Sequence, residues 1–169
     1  VGTNSAILTA GAIQSNFCAF VPFYEDEVNA IMADEGFKLI KHTAVATNVT
    51  LASSPNGTLR QGYAGNVTLT FENSGLADAE NLSVTVSTSN ANHMPTGIAG
   101  TDWYATAGTG TDQEIHRASL AVSNLANVAL TWDELPPVDS LEVTIDWKWD
   151  GGTMQSQTLN LTLLPSYRV

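Results

Sequence analysis

The sequence predicts a mainly β fold, an antiparallel sandwich of seven or eight strands preceded by an α-helical N-terminal tail. Three observations predict it. Apolar residues recur every third or fourth position up to about residue 35, and every second position from Thr43 onward. Clusters of Gly, Pro, Asn and Asp punctuate the second region at short intervals. The 169 residues, 43 % of them hydrophobic, suffice for one folded domain plus an appendage.

The tail comes first. Ala6, Ala10, Ile13, Phe17, Phe20, Tyr24, Val28 and Ile31 form one stripe at helical spacing. Pro22 lies inside the stripe and should kink or divide a helix, because it lacks an N–H and clashes with the preceding turn. Gly36, after Asp34 and Glu35, fits a C-terminal cap. The expected boundary places an apolar tail over residues 1–41 and the sandwich over 42–169. Residues 1–24 carry no charged side chain, yet Asn4, Ser5, Thr9, Gln14, Ser15 and Asn16 interrupt them, which disfavours a membrane span.

Beyond the tail the period is two. Val45, Val49 and Leu51 alternate with small or polar residues, as do Val67, Leu69 and Phe71, then Leu82, Val84 and Val86, then Val128, Leu130 and Trp132. The longest runs are Leu141, Val143, Ile145, Trp147 and Trp149, and Leu159, Leu161 and Leu163. Such alternation puts one face of each strand on a core and the other in solvent. Turn signals separate them at Pro55-Asn56-Gly57, Asn73-Ser74-Gly75, Pro136-Pro137 and Asp150-Gly151-Gly152. Residues 89–112, rich in Gly, Thr and Asn, read as a long loop with one edge strand at most.

The stretch from Gly65 through Phe71-Glu72-Asn73-Ser74-Gly75 to Ala79-Glu80-Asn81-Leu82-Ser83-Val84-Thr85-Val86 resembles the hairpin of CARDB-type immunoglobulin-like domains. That resemblance implies an immunoglobulin-like sandwich and a surface role in adhesion or assembly, with no catalytic residues to carry over. A charge-poor N-terminal segment leading into such a head also resembles archaeal type IV pilins and archaeal flagellins. Pro22 with Tyr24 and Asp26 is similar to the end of the hydrophobic segment of bacterial type IV pilins. The chain departs from that pattern at Ser5, where those pilins have a glutamate, and at Val1, where they start on an aromatic residue.

Charge narrows the function classes. Six Lys and Arg against seventeen Asp and Glu leave a formal net charge of −11, with no basic stripe. Such a surface repels nucleic acid and anionic membranes. Cys18 is the single cysteine, so no intrachain disulfide forms, and its apolar surroundings suit a buried inert thiol. No secretory signal is visible within the chain.

Catalytic and cofactor signatures are missing from the sequence. His42, His93 and His116 are scattered without metal-ligand spacing. Gly108 and Gly110 precede no helix that could receive a phosphate. Asp133, Glu134 and Asp139 flank Pro136-Pro137 and could offer oxygens to Ca²⁺, but they lack the dense spacing of a dedicated loop and read better as a solvated turn. Trp147 and Trp149 share the parity of core residues, which favours packing over a sugar-stacking platform. Trp103-Tyr104 is the candidate exposed aromatic contact. No enzyme, metal or cofactor is expected.

Five Asn-x-Ser/Thr sequons occur, at Asn48, Asn56, Asn66, Asn81 and Asn160. In four of them the middle residue is the apolar, inward one, so Asn and Ser or Thr are expected to face outward. The fifth, Asn56, falls on a predicted turn. N-linked glycans there would place the protein outside the cell.

The sequence expectation is therefore a structural subunit of an extracellular, cell-surface homopolymer. Ile7, Leu8, Ile13, Phe17, Phe20, Val21, Tyr24, Val28 and Ile31 would be buried between copies, either as a helix seam or, over residues 5–14, as a strand donated to a neighbour's sheet edge. The rival expectation is a monomeric surface adhesin or carbohydrate-binding module.

Overall fold

The structure, a computed structural model, describes residues 47–106 and 108–167, with Ala30 alone before them. The chain divides into two compact units, residues 1–44 and 45–169, and the second holds every element described below.

Nine strands build two antiparallel sheets. They are β1 (Val49–Pro55), β2 (Gly65–Asn73), β3 (Ala79–Ser87), β4 (Gly97–Ala99), β5 (Tyr104–Ala105), β6 (Asp112–Leu120), β7 (Leu125–Trp132), β8 (Ser140–Lys148) and β9 (Gln155–Thr162). One sheet runs in the order β1-β2-β7-β4 and the other β5-β6-β3-β8-β9. A 3-10 turn, Ala91–His93, is capped by the Asn90 side chain, which accepts from the Asn92 N–H at 3.0 Å. It is pinned when the Trp132 indole donates to the His93 carbonyl at 2.9 Å.

Alternation explains the sheets. Val67, Leu69 and Phe71 on β2, and Ala126, Val128, Leu130 and Trp132 on β7, point into one core. They face Val84 and Val86 on β3, Leu141, Val143, Ile145 and Trp147 on β8, and Leu159 and Leu161 on β9. Leu59 and Leu135 close one end of the sandwich; Ala79 and Leu120 lie at the other. Burying a side chain of this size stabilises the fold by about 1.5–3 kcal/mol relative to exposure.

The chain enters the sandwich at Asn48 and Val49, at one pole. Trp147 and the start of β9 share that pole, since Trp147 bonds to the Val49 carbonyl and pairs with Gln155. The opposite pole holds the connector 56–64, the Pro136-Pro137 turn and the segment after β9. There Leu164 forms a parallel bridge with Arg60.

Several expectations are corrected. The described residues form an all-β fold of nine strands, not seven or eight, and no α-helix is among the described elements. The expected helical tail, 1–41, is not seen: apart from Ala30 it lies outside the described residues. Spacing alone was a poor warrant for that helix. Ile7, Leu8, Ala12, Cys18, Ala19 and Val21 fall between the stripe positions, so apolar residues are not confined to one helical face.

Two short strands, β4 and β5, three and two residues long, lie inside the stretch expected to be a loop with one edge strand. A third, β6, went unrecognised because its inward parity is broken. Ile115 and Leu120 are buried, but the position opposite Leu82 is Arg117. The partner strand changes phase at the same level: Ala79 and Leu82 both point inward, and Asn81 between them takes φ 51°. A non-glycine residue there is uncommon, with Asn among the more tolerant types.

Candidate functional site

The two sheets present unlike outer faces. On β1, β2 and β7 the outward residues include Thr50, Ala52, Ser54, Asn66, Thr68, Thr70, Asn127, Ala129 and Thr131, with Glu72 the one carboxylate. The other sheet presents Glu80, Asp112, Glu114, Glu142 and Asp146, with Lys148 and His116 among them. There Ser83, 7 % exposed, donates to Glu114 Oε1 at 2.6 Å, and His116 Nε2 lies 3.4 Å from the same oxygen. The His116 ring stacks on Tyr104 at 5.6 Å. The imidazole meets the carboxylate rather than the hydroxyl, so Ser83 lacks the nucleophile-to-imidazole geometry of covalent catalysis.

The sequon asparagines spread over both sheets. Asn48 and Asn160 are exposed, each followed by a buried residue, Val49 or Leu161, and an exposed threonine. Asn56 opens a turn in which Gly57 takes φ 91°. Its Nδ2 donates to Asn66 Oδ1 at 2.7 Å and to Thr68 Oγ1 at 2.9 Å, so two sequons share one hydrogen-bonded cluster. Asn81 is exposed and donates to Asp150 Oδ2 at 2.6 Å, but its sequon hydroxyl, Ser83, is buried. The nine residues expected to join copies, Ile7, Leu8, Ile13, Phe17, Phe20, Val21, Tyr24, Val28 and Ile31, lie outside the described residues.

Of the aromatic candidates, Trp147 and Tyr104 lie as expected and Trp103 and Trp149 only in part. Trp103 is half-buried against the core, 5.6 Å from the Phe71 ring, and Tyr104 beside it is 57 % exposed. Trp147 is in the core, while Trp149 packs against it only in part. Asp133, Glu134 and Asp139 are exposed, and Asp139 accepts from Gln61 Nε2 at 3.1 Å. Among the described residues no group of three His, Cys, Asp or Glu stands close enough to hold a metal ion, and no helix is long and apolar enough to cross a membrane.

One concave site was not read from the sequence. At the pole away from Val49, the chain makes a tight turn from Arg60 to Tyr63, with Tyr63 N–H donating to the Arg60 carbonyl at 3.2 Å. Gly62 takes φ 72° there, the left-handed conformation that turns of this kind require at the third residue. Hydrogen bonds from Gly62 to the Leu135 carbonyl and from Leu135 to the Tyr63 carbonyl fix the turn to the domain. The segment after β9 is held on the other side, where Leu164 donates to Leu59 and Gln61 donates to Leu164.

Between them lies an open depression of about 380 Å³ lined by Thr58, Arg60, Tyr63, Ala64 and Tyr167. Tyr63 and Tyr167 are 54 % and 77 % exposed. Arg60 Nη1 donates to the Pro165 carbonyl at 3.1 Å, and no described carboxylate lies within ion-pair distance of its guanidinium. The sequence signal for this site was faint: an arginine three residues from a tyrosine, in a chain with only six Lys and Arg.

Comparisons with known proteins show the fold. No family model matches the chain, and no curated protein sequence matches it. Among solved structures, it is similar to an uncharacterised Nocardia farcinica protein with an immunoglobulin-like fold, at 12 % identity and a TM-score of 0.50, over 68 % of this chain and 97 % of that one. A cohesin module from a Clostridium perfringens family 33 glycoside hydrolase superposes with a TM-score of 0.51 at 10 % identity, over 73 % and 100 % of the two chains. The CARDB domain of a Pyrococcus furiosus protein, crystallised with di-metal ions, gives 0.50 at 10 % identity, over 73 % and 99 %. The sandwich thus has an immunoglobulin-like fold, similar to that of the CARDB domain.

Proposed function

We propose that this chain is a non-enzymatic structural subunit of an extracellular homopolymer, pilus-like in organisation, with the sandwich displayed outside and N-glycosylated. The observation that carries this reading is a complete core. The sandwich fills both inner faces with residues between Val49 and Leu163, so the uncharged stretch 1–24 is apolar material that the core does not require. Ile7, Leu8, Ile13, Phe17, Phe20 and Val21 then find their partners on other copies. Residues 5–14 suit addition along a neighbour's sheet edge. The edge strands β1 and β9, seven and eight residues long, are long enough to pair with most of such a segment.

Electron microscopy of the intact protein beside a chain starting at residue 45 tests the reading. Regular fibres from the intact protein and dispersed particles from the shortened one support it. Dispersed intact protein, or fibres from the shortened chain, overturns it. The second reading, a surface adhesin or carbohydrate-binding module acting as a monomer, is favoured by the exposed rings of Tyr63 and Tyr167 around Arg60.

A further inference from the structure

We infer that the depression formed by Thr58, Arg60, Tyr63, Ala64 and Tyr167 binds a carboxylated saccharide, with the guanidinium of Arg60 taking the carboxylate and the tyrosine rings stacking on the sugar. The site belongs to the sandwich alone, so the inference holds whether or not the chain polymerises.

Four features carry it. The volume of about 380 Å³ falls within the roughly 300–1,000 Å³ usual for small-ligand sites. The tyrosines offer flat apolar faces with a hydroxyl at the tip, which suit the C–H faces and hydroxyls of a pyranose ring. Arg60 supplies a rigid planar fork that matches a carboxylate with two parallel hydrogen bonds. Finally, the walls are built in advance: the Arg60–Tyr63 turn and the strand-like run at Leu164 are both tied by backbone hydrogen bonds.

A net charge of −11 makes the arginine informative. Only three of the described residues are Lys or Arg. Arg117 is occupied by Asp102 and by the Thr101 and Ser119 carbonyls, and Lys148 stands on the acidic sheet face, two residues from Asp146 on β8. Arg60 is the described cation that lines a pocket together with two exposed tyrosines. An acidic peptide shares the charge but not the need for two stacking faces, so the saccharide is the better match.

Calorimetric titration of the full chain tests this, using an oligogalacturonate and its neutral galactose counterpart, 3′-sialyllactose and lactose, and a Glu-Tyr peptide. Saturable binding of one acidic sugar, at least about tenfold tighter than its neutral partner, is expected. The acid that binds tells a uronate site from a sialic acid site. Arg60→Gln should erase the preference and Arg60→Lys should reduce it, since lysine keeps the charge but loses the fork. Tyr63→Ala should weaken acidic and neutral sugars alike. Amide spectra of each variant confirm the fold and locate the shifts at residues 58–64 and 167. Equal binding of acidic and neutral sugars, saturation by the peptide alone, or no saturable binding by a folded chain overturns the inference.

Discussion

The indole Nε1 of Trp147 donates to the carbonyl of Val49 at 2.9 Å, a buried hydrogen bond between residues 98 apart in the chain. It joins the end of β8 to the first residue of β1 and so ties the two sheets together where the chain enters the domain. The Phe71 ring lies edge-on to the same indole at 6.0 Å.

Trp147→Phe keeps an aromatic ring but strands the Val49 carbonyl without its donor. An unsatisfied buried acceptor costs about 1–3 kcal/mol. Urea denaturation should show a loss of that size with an unchanged slope, because the surface exposed on unfolding is the same.

Asn73 is fully buried at the end of β2 and holds two turns at once. Its Nδ2 donates to the carbonyls of Ala77 and Leu120 at 2.8 and 2.9 Å, and its Oδ1 accepts from the Gly75 N–H at 3.0 Å. Asn73→Ala orphans all three partners. A loss of roughly 2–5 kcal/mol is expected, larger than for Trp147→Phe, because one side chain serves a whole network. Thermal unfolding of the two variants side by side would show the order.

Asp112 titrates below the ordinary carboxylate range. The Thr109 hydroxyl, donating to Oδ1 at 2.7 Å, is the main cause, and the Thr109 backbone N–H adds to it. The folded pKa is lower than the unfolded one, so the stabilisation is present above about pH 4 and is lost as pH falls through the folded value. Thr109→Val should raise the Asp112 titration midpoint in a carboxyl-detected NMR series, and a midpoint that stays put would count against this account.

The sequons should differ in occupancy. Asn160 is exposed on β9, whereas Asn48 Nδ2 donates to Ser74 and Asn81 Nδ2 donates to Asp150. Asn56 Nδ2 donates to Asn66 and to the Thr68 hydroxyl of the Asn66 sequon, and the Ser83 hydroxyl of the Asn81 sequon is buried on Glu114. Expression in a glycosylating host and peptide mass spectrometry should find glycan at Asn160 before Asn66 and Asn81. The reverse order would show that transfer precedes folding of β2 and β3.

The sandwich was legible wherever alternation was strong. Leu141, Val143, Ile145 and Trp147 announced β8, and Leu159 and Leu161 announced β9, because each strand has one dry and one wet face. β6 was not legible, since Arg117 occupies an inward position and is satisfied by Thr101, Ser119 and Asp102, partners that only the folded chain brings near. β4 and β5 were too short to show a period. Asn48 and Asn160 could be placed outward from parity alone, but the hydrogen bond between Asn56 and Asn66 could not. The grouping of Arg60 and Tyr63 with Tyr167 was hidden for a like reason: 104 residues separate Tyr63 from Tyr167, and the parallel bridge at Leu164 is what brings their segments together.

Asn48 and the segment after Leu164 leave the sandwich at opposite poles, and β1 and β9 run in the same direction between them. Tension applied along that axis would therefore slide β1 against β2 rather than peel it away. Seven residue pairs, from Val49 with Asn73 to Pro55 with Val67, would share the load together. A head built this way resists stretching more strongly than a head whose ends meet at a single pole, where the pairs would break in succession.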